Sequence, residues 1–177
     1  MPCYDTPAYN HEYMLKLVYH PDELLREQSA PVDTINGDIA AFARDMVDSM
    51  HAERGIGLAA VQVGHLLRMF VTDVTGDEAR VFINPEITAF SDRQNSIEEG
   101  CLSIPGMYSD VKRSEACEVS AWDELGRHFS LEADGMLARV IMHELDHLNG
   151  VLFFDHLRAG RRRRLLDRYE KSRQKDA

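Results

Sequence analysis

Two histidines with a glutamate between them are the residues whose spacing points most directly to chemistry. His143, Glu144 and His147 form an H-E-x-x-H pattern. On a helix, positions four apart lie on one face, so both imidazoles can reach a single metal ion. Glu144 lies about 100° around such a helix from His143, close enough to exchange protons with a coordinated water without being a ligand. The same pattern also arises by chance on exposed amphipathic helices, so the interpretation depends on the rest of the chain.

A metal ion held by two histidines needs a third protein ligand. Downstream, Asp155 and His156 follow too soon after the predicted helix to fold back easily. Upstream, Cys101 follows Gly100, which permits close approach of the backbone. A single cysteine is more often a small buried apolar residue, and that is our interpretation of Cys117. At this point Cys101 is a candidate ligand and no more.

A glycine-rich stretch, GIGLAAVQ at residues 55–62, suggests a second kind of chemistry. It is similar to a dinucleotide-binding fingerprint in which alanine takes the place of the third glycine. That fingerprint requires a strand before it and a helix after it. Here a helical pattern at about 39–53 precedes the stretch and VQVG ends it, so dinucleotide binding is disfavoured.

The elements that must position these residues follow from periodicity. Apolar residues at helical spacing predict a helix over about 39–53, and β-rich segments predict strands through much of 68–132. The H-E-x-x-H helix is expected at about 136–148 and a basic helix at 158–173. Together they predict an α+β fold: antiparallel or mixed β-sheets packed around a central metal-binding helix, with an N-terminal helix and a C-terminal basic helix.

The chain has 177 residues, 44% of them apolar, which suits one compact domain. We divide it into an N-terminal extension (1–13), a catalytic domain (14–157) and a basic C-terminal helix or tail (158–177). The tail carries nine Lys and Arg against three acidic residues, whereas the rest carries 11 against 27. The body is therefore expected to repel nucleic acid, and the tail is a candidate for contact with it.

Composition also bears on location. No apolar run approaches the roughly 18–20 residues that span a membrane, so no membrane partner is expected. The first seven residues, MPCYDTP, lack the basic start and hydrophobic stretch of a secretory signal. Three irregularly spaced cysteines fit reduced thiols better than a disulfide framework. We expect a cytoplasmic protein.

Three motifs together resemble the signature sequences of the peptide deformylases. They are GIGLAAVQ at 55–62, EGCLS at 99–103 and HELDH at 143–147, in the order and at the separations typical of that family. The similarity extends over residues 17–157. Each motif alone is weak, but the combination is highly specific.

The resemblance implies that Cys101, His143 and His147 bind one divalent metal ion per chain. A thiolate with two imidazoles suits Fe(II), Zn(II), Ni(II) or Co(II), so donor chemistry alone does not select the metal. The family implies Fe(II) as the physiological ion, with zinc as a common and often less active substitute.

The implied reaction is removal of the formyl group from the N-terminal methionine of a new polypeptide, with release of formate. Activated water attacks the formyl carbon while Glu144 takes up its proton and passes it to the leaving amine. The resemblance assigns stabilisation of the charged oxygen to the metal, the Gln62 amide and the Leu102 backbone N–H. The partners are thus N-formyl-methionyl peptides and, through the basic tail, a candidate contact with the ribosome; no DNA partner is expected.

A pocket for an unbranched thioether side chain is also required. Met136 and Val140 lie seven and three residues before His143, on its face of the helix. The resemblance adds Ile56 and Ile97 as walls of this pocket. All four side chains are also suited to an ordinary core.

Two smaller groups complete the expected site. The peptide backbone is expected to pair with extended chain near Gly57 and Gly106, as an added strand would. Glu99, Arg113 and Asp146 lie within or beside the motifs, and we expect them to support the ligands from behind.

One residue departs from the family pattern. Met142 stands directly before the first histidine, where the family commonly has glutamine. Methionine cannot donate or accept hydrogen bonds comparably, which places in doubt any polar contact at that position. The ligand set is unaffected.

Two alternative functions are compatible with the H-E-x-x-H pattern. A metallo-endopeptidase would cleave internal amide bonds and would carry a downstream third ligand, which we do not find. A non-catalytic formyl-peptide-binding protein with a structural metal would normally have four protein ligands, and the sequence offers three.

Overall fold

The computed structural model describes residues 14–74 and 78–175. The predicted N-terminal extension, 1–13, lies outside the described residues. The helices are α1 (Gly37–Ala52), α2 (Gly135–Leu148) and α3 (Ala159–Arg173). The strands are β1 (Gly57–Ala59), β2 (Met69–Thr72), β3 (Arg80–Phe90), β4 (Gln94–Gly100), β5 (Tyr108–Ser114), β6 (Ala116–Trp122) and β7 (His128–Asp134). Short 3-10 helices cover Glu23–Arg26, Ala60–Val63 and Phe153–His156.

The strands form two antiparallel sheets. The larger has the order β1-β2-β3-β6-β7, and the smaller pairs β4 with β5. Along β6 the buried residues alternate with partly exposed ones, as expected for a strand with one face on the core. The predicted α+β class is confirmed, and the pairings between these named strands are antiparallel rather than mixed.

Helix α2 lies at the centre because it is apolar on a wide face. Ala138, Ile141 and Met142 are buried against Phe70 and Phe82 of the large sheet. The helix follows β7 directly and begins at Gly135, which has a positive φ of 53°, a conformation that glycine adopts without steric cost. Its other face meets β1 and the 3-10 helix at Ala60–Val63, and this face carries the two histidines.

Helix α1 covers the opposite face of β1 and β2. The Asn36 side chain accepts hydrogen bonds from the backbone N–H groups of Asp38 and Ile39 and so begins the helix. Its buried Met46 and Met50 pack in the same core as Leu58 of β1. The short strand β1 is therefore held between two helices, which fixes the backbone beside the H-E-x-x-H motif.

Helix α3 is basic on its surface but apolar on the side that faces the body. Leu165 and Tyr169 are buried in one cluster with Val111 and Phe153. The Tyr169 hydroxyl donates to the carbonyl oxygen of His20 at 3.0 Å. The predicted basic helix is thus packed on the domain. Of the helices in the described part of the chain, none combines the length and apolar character that crossing a bilayer requires.

Candidate metal centre and substrate cleft

Three side chains with metal-binding atoms meet beside α2. His143 and His147 lie one turn apart on that helix, and Cys101 follows the end of β4. One ligand atom of each residue lies within 4.8 Å of the others, and Cys101 Sγ is 3.2 Å from His147 Nε2. Both histidines are buried. The arrangement combines one thiol and two imidazoles, a set that suits a borderline divalent cation.

The electrostatics around these atoms fit a cation. His143 Nδ1 lies 2.9 Å from Glu99 Oε2, an interaction that turns Nε2 of the same ring away from the carboxylate. Burial lowers the pKa of His147 well below its usual value, which favours the neutral imidazole that a metal requires. Burial would also lower the pKa of His143, but Cys101 and Glu99 raise it well above its usual value. The surroundings of His143 therefore stabilise positive charge.

Glu99 is held by two arginines. Arg113 donates to both of its oxygens, with Nε to Oε1 at 2.7 Å and Nη2 to Oε2 at 3.0 Å, and Arg139 Nη1 donates to Oε1 at 2.8 Å. Burial alone would raise the pKa of Glu99, but hydrogen bonds from His143 and Arg113 hold it well below its usual range. Arg113 also donates to Asp146 Oδ2 at 2.7 Å. The structure thus brings together Glu99, Arg113 and Asp146 behind the histidines.

Glu144 lies beside the same donors with a carboxylate that is poorly solvated. It is buried, and among the described residues its Oε2 has no hydrogen-bond partner. Burial raises its pKa to about 7, with Glu99 contributing to the rise and His143 opposing it. An added Cβ at Gly57 would lie only 2.4 Å from Glu144 Oε1. The Glu144 carboxylate therefore packs directly against the backbone of β1 at Gly57.

Gln62 faces the centre from the 3-10 helix after β1. Its Oε1 accepts from the Ala59 backbone N–H at 2.8 Å, which fixes the orientation of the amide. Its Nε2 donates to Ser103 Oγ at 3.2 Å and lies 3.5 Å from Cys101 Sγ. Leu102, directly after Cys101, lines the cleft with Gln62. A preorganised amide donor thus lies beside the thiol.

Two of the three donors, Cys101 and His143, line a cleft of about 490 Å³. Five of the six residues predicted to contact substrate line it: Ile56, Gly57, Gly106, Met136 and Val140. Ile97 is not among the lining residues; it is half-buried on β4 and opposite Val111 on β5, so its place in the pocket stays a prediction. Ile56 and Met136 are exposed at the mouth, whereas Val140 is buried.

Two residues near the site were not anticipated from the sequence. Arg139 is buried four residues before His143 on α2. The sequence does contain a signal for this residue, because a charged side chain on the apolar face of a helix must be buried with polar partners. Ser103 is fully buried and accepts from Gln62, a contact for which the sequence gives no signal.

The Met142 side chain packs away from the donors. It is buried with Ile141 and Leu148 in the core between α2 and the large sheet. The departure from the family pattern therefore falls in an apolar environment that suits methionine.

An open cluster of one thiol and two imidazoles, with a carboxylate and an amide beside it, fits a metal-dependent hydrolase. Residues 14–163 match the polypeptide deformylase family. The chain is 49% identical over 141 residues to peptide deformylase 1 of Clostridium perfringens, covering 79% of this chain and 95% of the relative. It is 42% identical over 159 residues to the peptide deformylase of Brucella suis, covering 88% and 91%. The chain belongs to the polypeptide deformylase family.

Solved structures agree with this assignment. The crystal structure of peptide deformylase from Ehrlichia chaffeensis is similar with a TM-score of 0.86 at 34% identity, covering 92% of this chain and 98% of that one. The enzyme from Synechococcus elongatus, in complex with actinonin, gives a TM-score of 0.85 at 41% identity, covering 90% and 89%. The fold and the enzyme class expected from the three motifs are thereby confirmed.

Proposed function

We propose that this chain removes the formyl group from the N-terminal methionine of newly made polypeptides in the cytoplasm and releases formate. The observation that carries the proposal is the convergence of Cys101, His143 and His147 at a cleft that Cys101 and His143 line together with Glu144 and Gln62. This arrangement combines an open cation site with a proton acceptor and an oxyanion donor, which hydrolysis of an amide requires.

The three donors would hold one divalent cation, for which we propose Fe(II), with Zn(II), Ni(II) and Co(II) as substitutes. When bound, the cation would lower the pKa of a coordinated water toward about 7 and polarise the formyl carbonyl. Cys101 would bind the cation as a thiolate and so supply negative charge, and the two imidazoles would bind as neutral ligands.

Glu144 and Gln62 perform separate tasks in this proposal. Glu144 accepts the proton of the attacking water at a carboxylate oxygen and delivers it to the departing amine nitrogen. The Gln62 Nε2 group and the Leu102 backbone N–H donate to the formyl oxygen as negative charge develops there. Because Ala59 and Ser103 fix the orientation of the Gln62 amide in advance, only the long contact of Nε2 with Cys101 Sγ, at 3.5 Å, has to be exchanged for the formyl oxygen.

The cleft also suits the substrate. The methionine side chain would lie along Val140 and Met136. Ile56 and Ile97 would form further walls of the pocket. The peptide backbone would pair with extended chain at Gly57 and Gly106 as an added strand. Among the described strands, β1 is at one end of the large sheet, so one edge of it has no paired strand and is available to a peptide.

Glu99, Arg113 and Asp146 support the donors from behind. Glu99 accepts from His143 Nδ1 and so orients the ring, and Arg113 ties Glu99 on β4 to Asp146 on α2. Such outer partners typically change metal affinity or activity by about 10- to 100-fold when removed.

Formate release from formyl-Met-Ala-Ser by anaerobically prepared, metal-loaded protein tests the proposal. We expect release by the wild type and a large loss in Glu144→Gln, which keeps the size of the side chain but cannot accept the proton. Cleavage of internal amide bonds would instead indicate an endopeptidase. Binding of the peptide without release would indicate a non-catalytic protein.

We further propose that the basic surface of α3 contacts ribosomal RNA, where formylated chains emerge. Arg161, Arg163 and Arg164 are exposed on this helix, whereas Leu165 and Tyr169 are buried. Truncation before α3 would therefore disturb the fold, and reversal of the three exposed charges to Glu is the cleaner change. A smaller fraction of this variant than of the wild type should sediment with ribosomes, and its binding should depend less steeply on salt concentration. Unchanged sedimentation would contradict the contact without affecting the enzyme assignment.

A further inference from the structure

The most unusual group outside the metal donors is the buried guanidinium of Arg139. The residue is only 3% exposed, and it lies four positions before His143 on α2, on the same face of the helix. An arginine in such a place is costly unless every donor is matched. Its burial therefore needs a reason, and its partners supply one.

The partners of Arg139 lie on both strands of the small sheet. Nη1 donates to Glu99 Oε1 and to the Val111 carbonyl oxygen, both at 2.8 Å. Nη2 donates to the Asn95 carbonyl oxygen at 3.3 Å and also contacts the Asn95 side-chain oxygen. One side chain thus joins α2, which carries the histidines, to β4, which leads into Cys101, and to β5.

The contact with Glu99 has a definite geometric consequence. Arg139 Nη1 and Arg113 Nε both donate to Oε1, while Oε2 accepts from Arg113 Nη2 and faces His143 Nδ1. Arg113 alone grips both oxygens from one side. Arg139 adds a third charge-assisted hydrogen bond to this carboxylate, so movement of Glu99 away from its position breaks more bonds than it would with Arg113 alone.

We propose that Arg139 is a positioning residue that acts through Glu99 to fix the His143 ring and, with it, the separation of the metal donors. This inference rests on the proposed function for its effect on turnover. Its effect on metal retention does not require any catalytic assignment.

The test compares zinc-loaded wild type with Arg139→Met and Arg139→Lys. Zinc transfer to a chromophoric chelator gives the rate of metal loss, and formyl-Met-Ala-Ser gives kcat and KM. Arg139→Met should release zinc about 10- to 100-fold faster and should lower kcat more than it changes KM. Arg139→Lys, which keeps the charge and one donor, should lie between the two. Arg44→Met, an exposed position on α1, controls for loss of an arginine in general.

A double-mutant cycle with Glu99→Gln separates positioning from a general effect on stability. If Arg139 acts through Glu99, its replacement should add little to the rate of zinc loss once Glu99 is neutral. If the two substitutions accelerate zinc loss by factors that multiply in the double variant, the proposal is overturned. It is also overturned if Arg139→Met loses zinc at the wild-type rate.

Asn95→Ala gives a second route in case Arg139→Met does not fold. It removes the side-chain oxygen that holds Nη2 without touching Glu99 or the donors. Zinc loss should accelerate in the same direction by a smaller factor, and equal rates in Asn95→Ala and wild type would count against the role of Arg139. Failure of wild type to release formate would overturn the proposed function, while the zinc measurements would still decide on Arg139.

Discussion

Replacement of Gly57 by alanine should displace Glu144, the proposed proton acceptor, without changing a proposed metal donor. The new Cβ would lie 2.4 Å from Glu144 Oε1 and 2.6 Å from Val140 Cγ1. An ordinary carbon–oxygen contact needs about 3.3 Å, so the carboxylate has to retreat by about 1 Å. Because β1 is held between α1 and α2, the backbone has little room to yield instead.

A displacement of that size is expected to lower the rate of the reaction strongly. Misplacement of a reacting group by about 1 Å costs on the order of 100-fold, or about 2.7 kcal/mol of barrier. We therefore expect kcat/KM for formyl-Met-Ala-Ser to fall about 100-fold in Gly57→Ala, with the zinc content of the protein unchanged. Steady-state formate release and metal analysis measure the two quantities.

Two controls make the result specific. Gly37→Ala adds a methyl group at the start of α1, where no atom lies within 4 Å, and should leave activity unchanged. Val140→Ala, added to Gly57→Ala, removes the second clash but not the clash with Glu144, and should not restore the rate. Activity of Gly57→Ala within about threefold of wild type would refute the role assigned to this close approach.

Three further changes follow from the structure. Gln62→Leu removes the oxyanion amide and should lower kcat by about 10²- to 10³-fold, measured by formate release, with Ser103→Ala as a milder comparison. Gly150→Ala places a Cβ 2.2 Å from the Arg26 carbonyl oxygen at a φ of 70° and should destabilise the fold by more than about 2 kcal/mol in urea denaturation. Asp155→Asn should lower the free energy of unfolding by about 1–2 kcal/mol at pH 7. Burial alone would raise the pKa of Asp155, but Arg26 and the Leu152 N–H hold it below its usual value. This stabilisation is thus present above about pH 4 and is lost as pH falls through the lower folded-state pKa, so the gap between wild type and Asp155→Asn should close in acid; a constant gap would contradict the assignment.

The predictable parts of the fold are those with local causes. Helix α2 was predicted at about 136–148 and spans Gly135–Leu148, because its apolar spacing and its terminal Asn149-Gly150 are both local signals. Helix α1 begins at Gly37, two residues before the apolar period starts, since Asn36 caps it. In both helices the spacing of apolar residues predicts the central turns, and the capping residues determine where the helix begins and ends.

The site itself depends on contacts between distant segments. Cys101 and His143 are 42 residues apart, and no periodicity places a thiol beside an imidazole across that distance. Family resemblance supplied this pairing. It did not supply Arg139, because the partners of a buried arginine depend on how β4, β5 and α2 pack. The resemblance also supplied Ile97, which is not among the residues that line the cleft, and its contact with substrate stays a prediction.

Because the proposed donors come from two separate layers, a cation bound by them would act as a cross-link. Two donors come from α2, which is buried against the large sheet. The third, Cys101, comes directly after β4 of the small sheet. An ion at this point closes a loop of 42 residues, as a disulfide would, and removes part of the chain entropy that the small sheet gains when it opens. Loss of the ion would remove one link between β4 and α2 and leave those made by Arg113 and Arg139. We expect amide exchange in β4 and β5 to become faster when the site is empty.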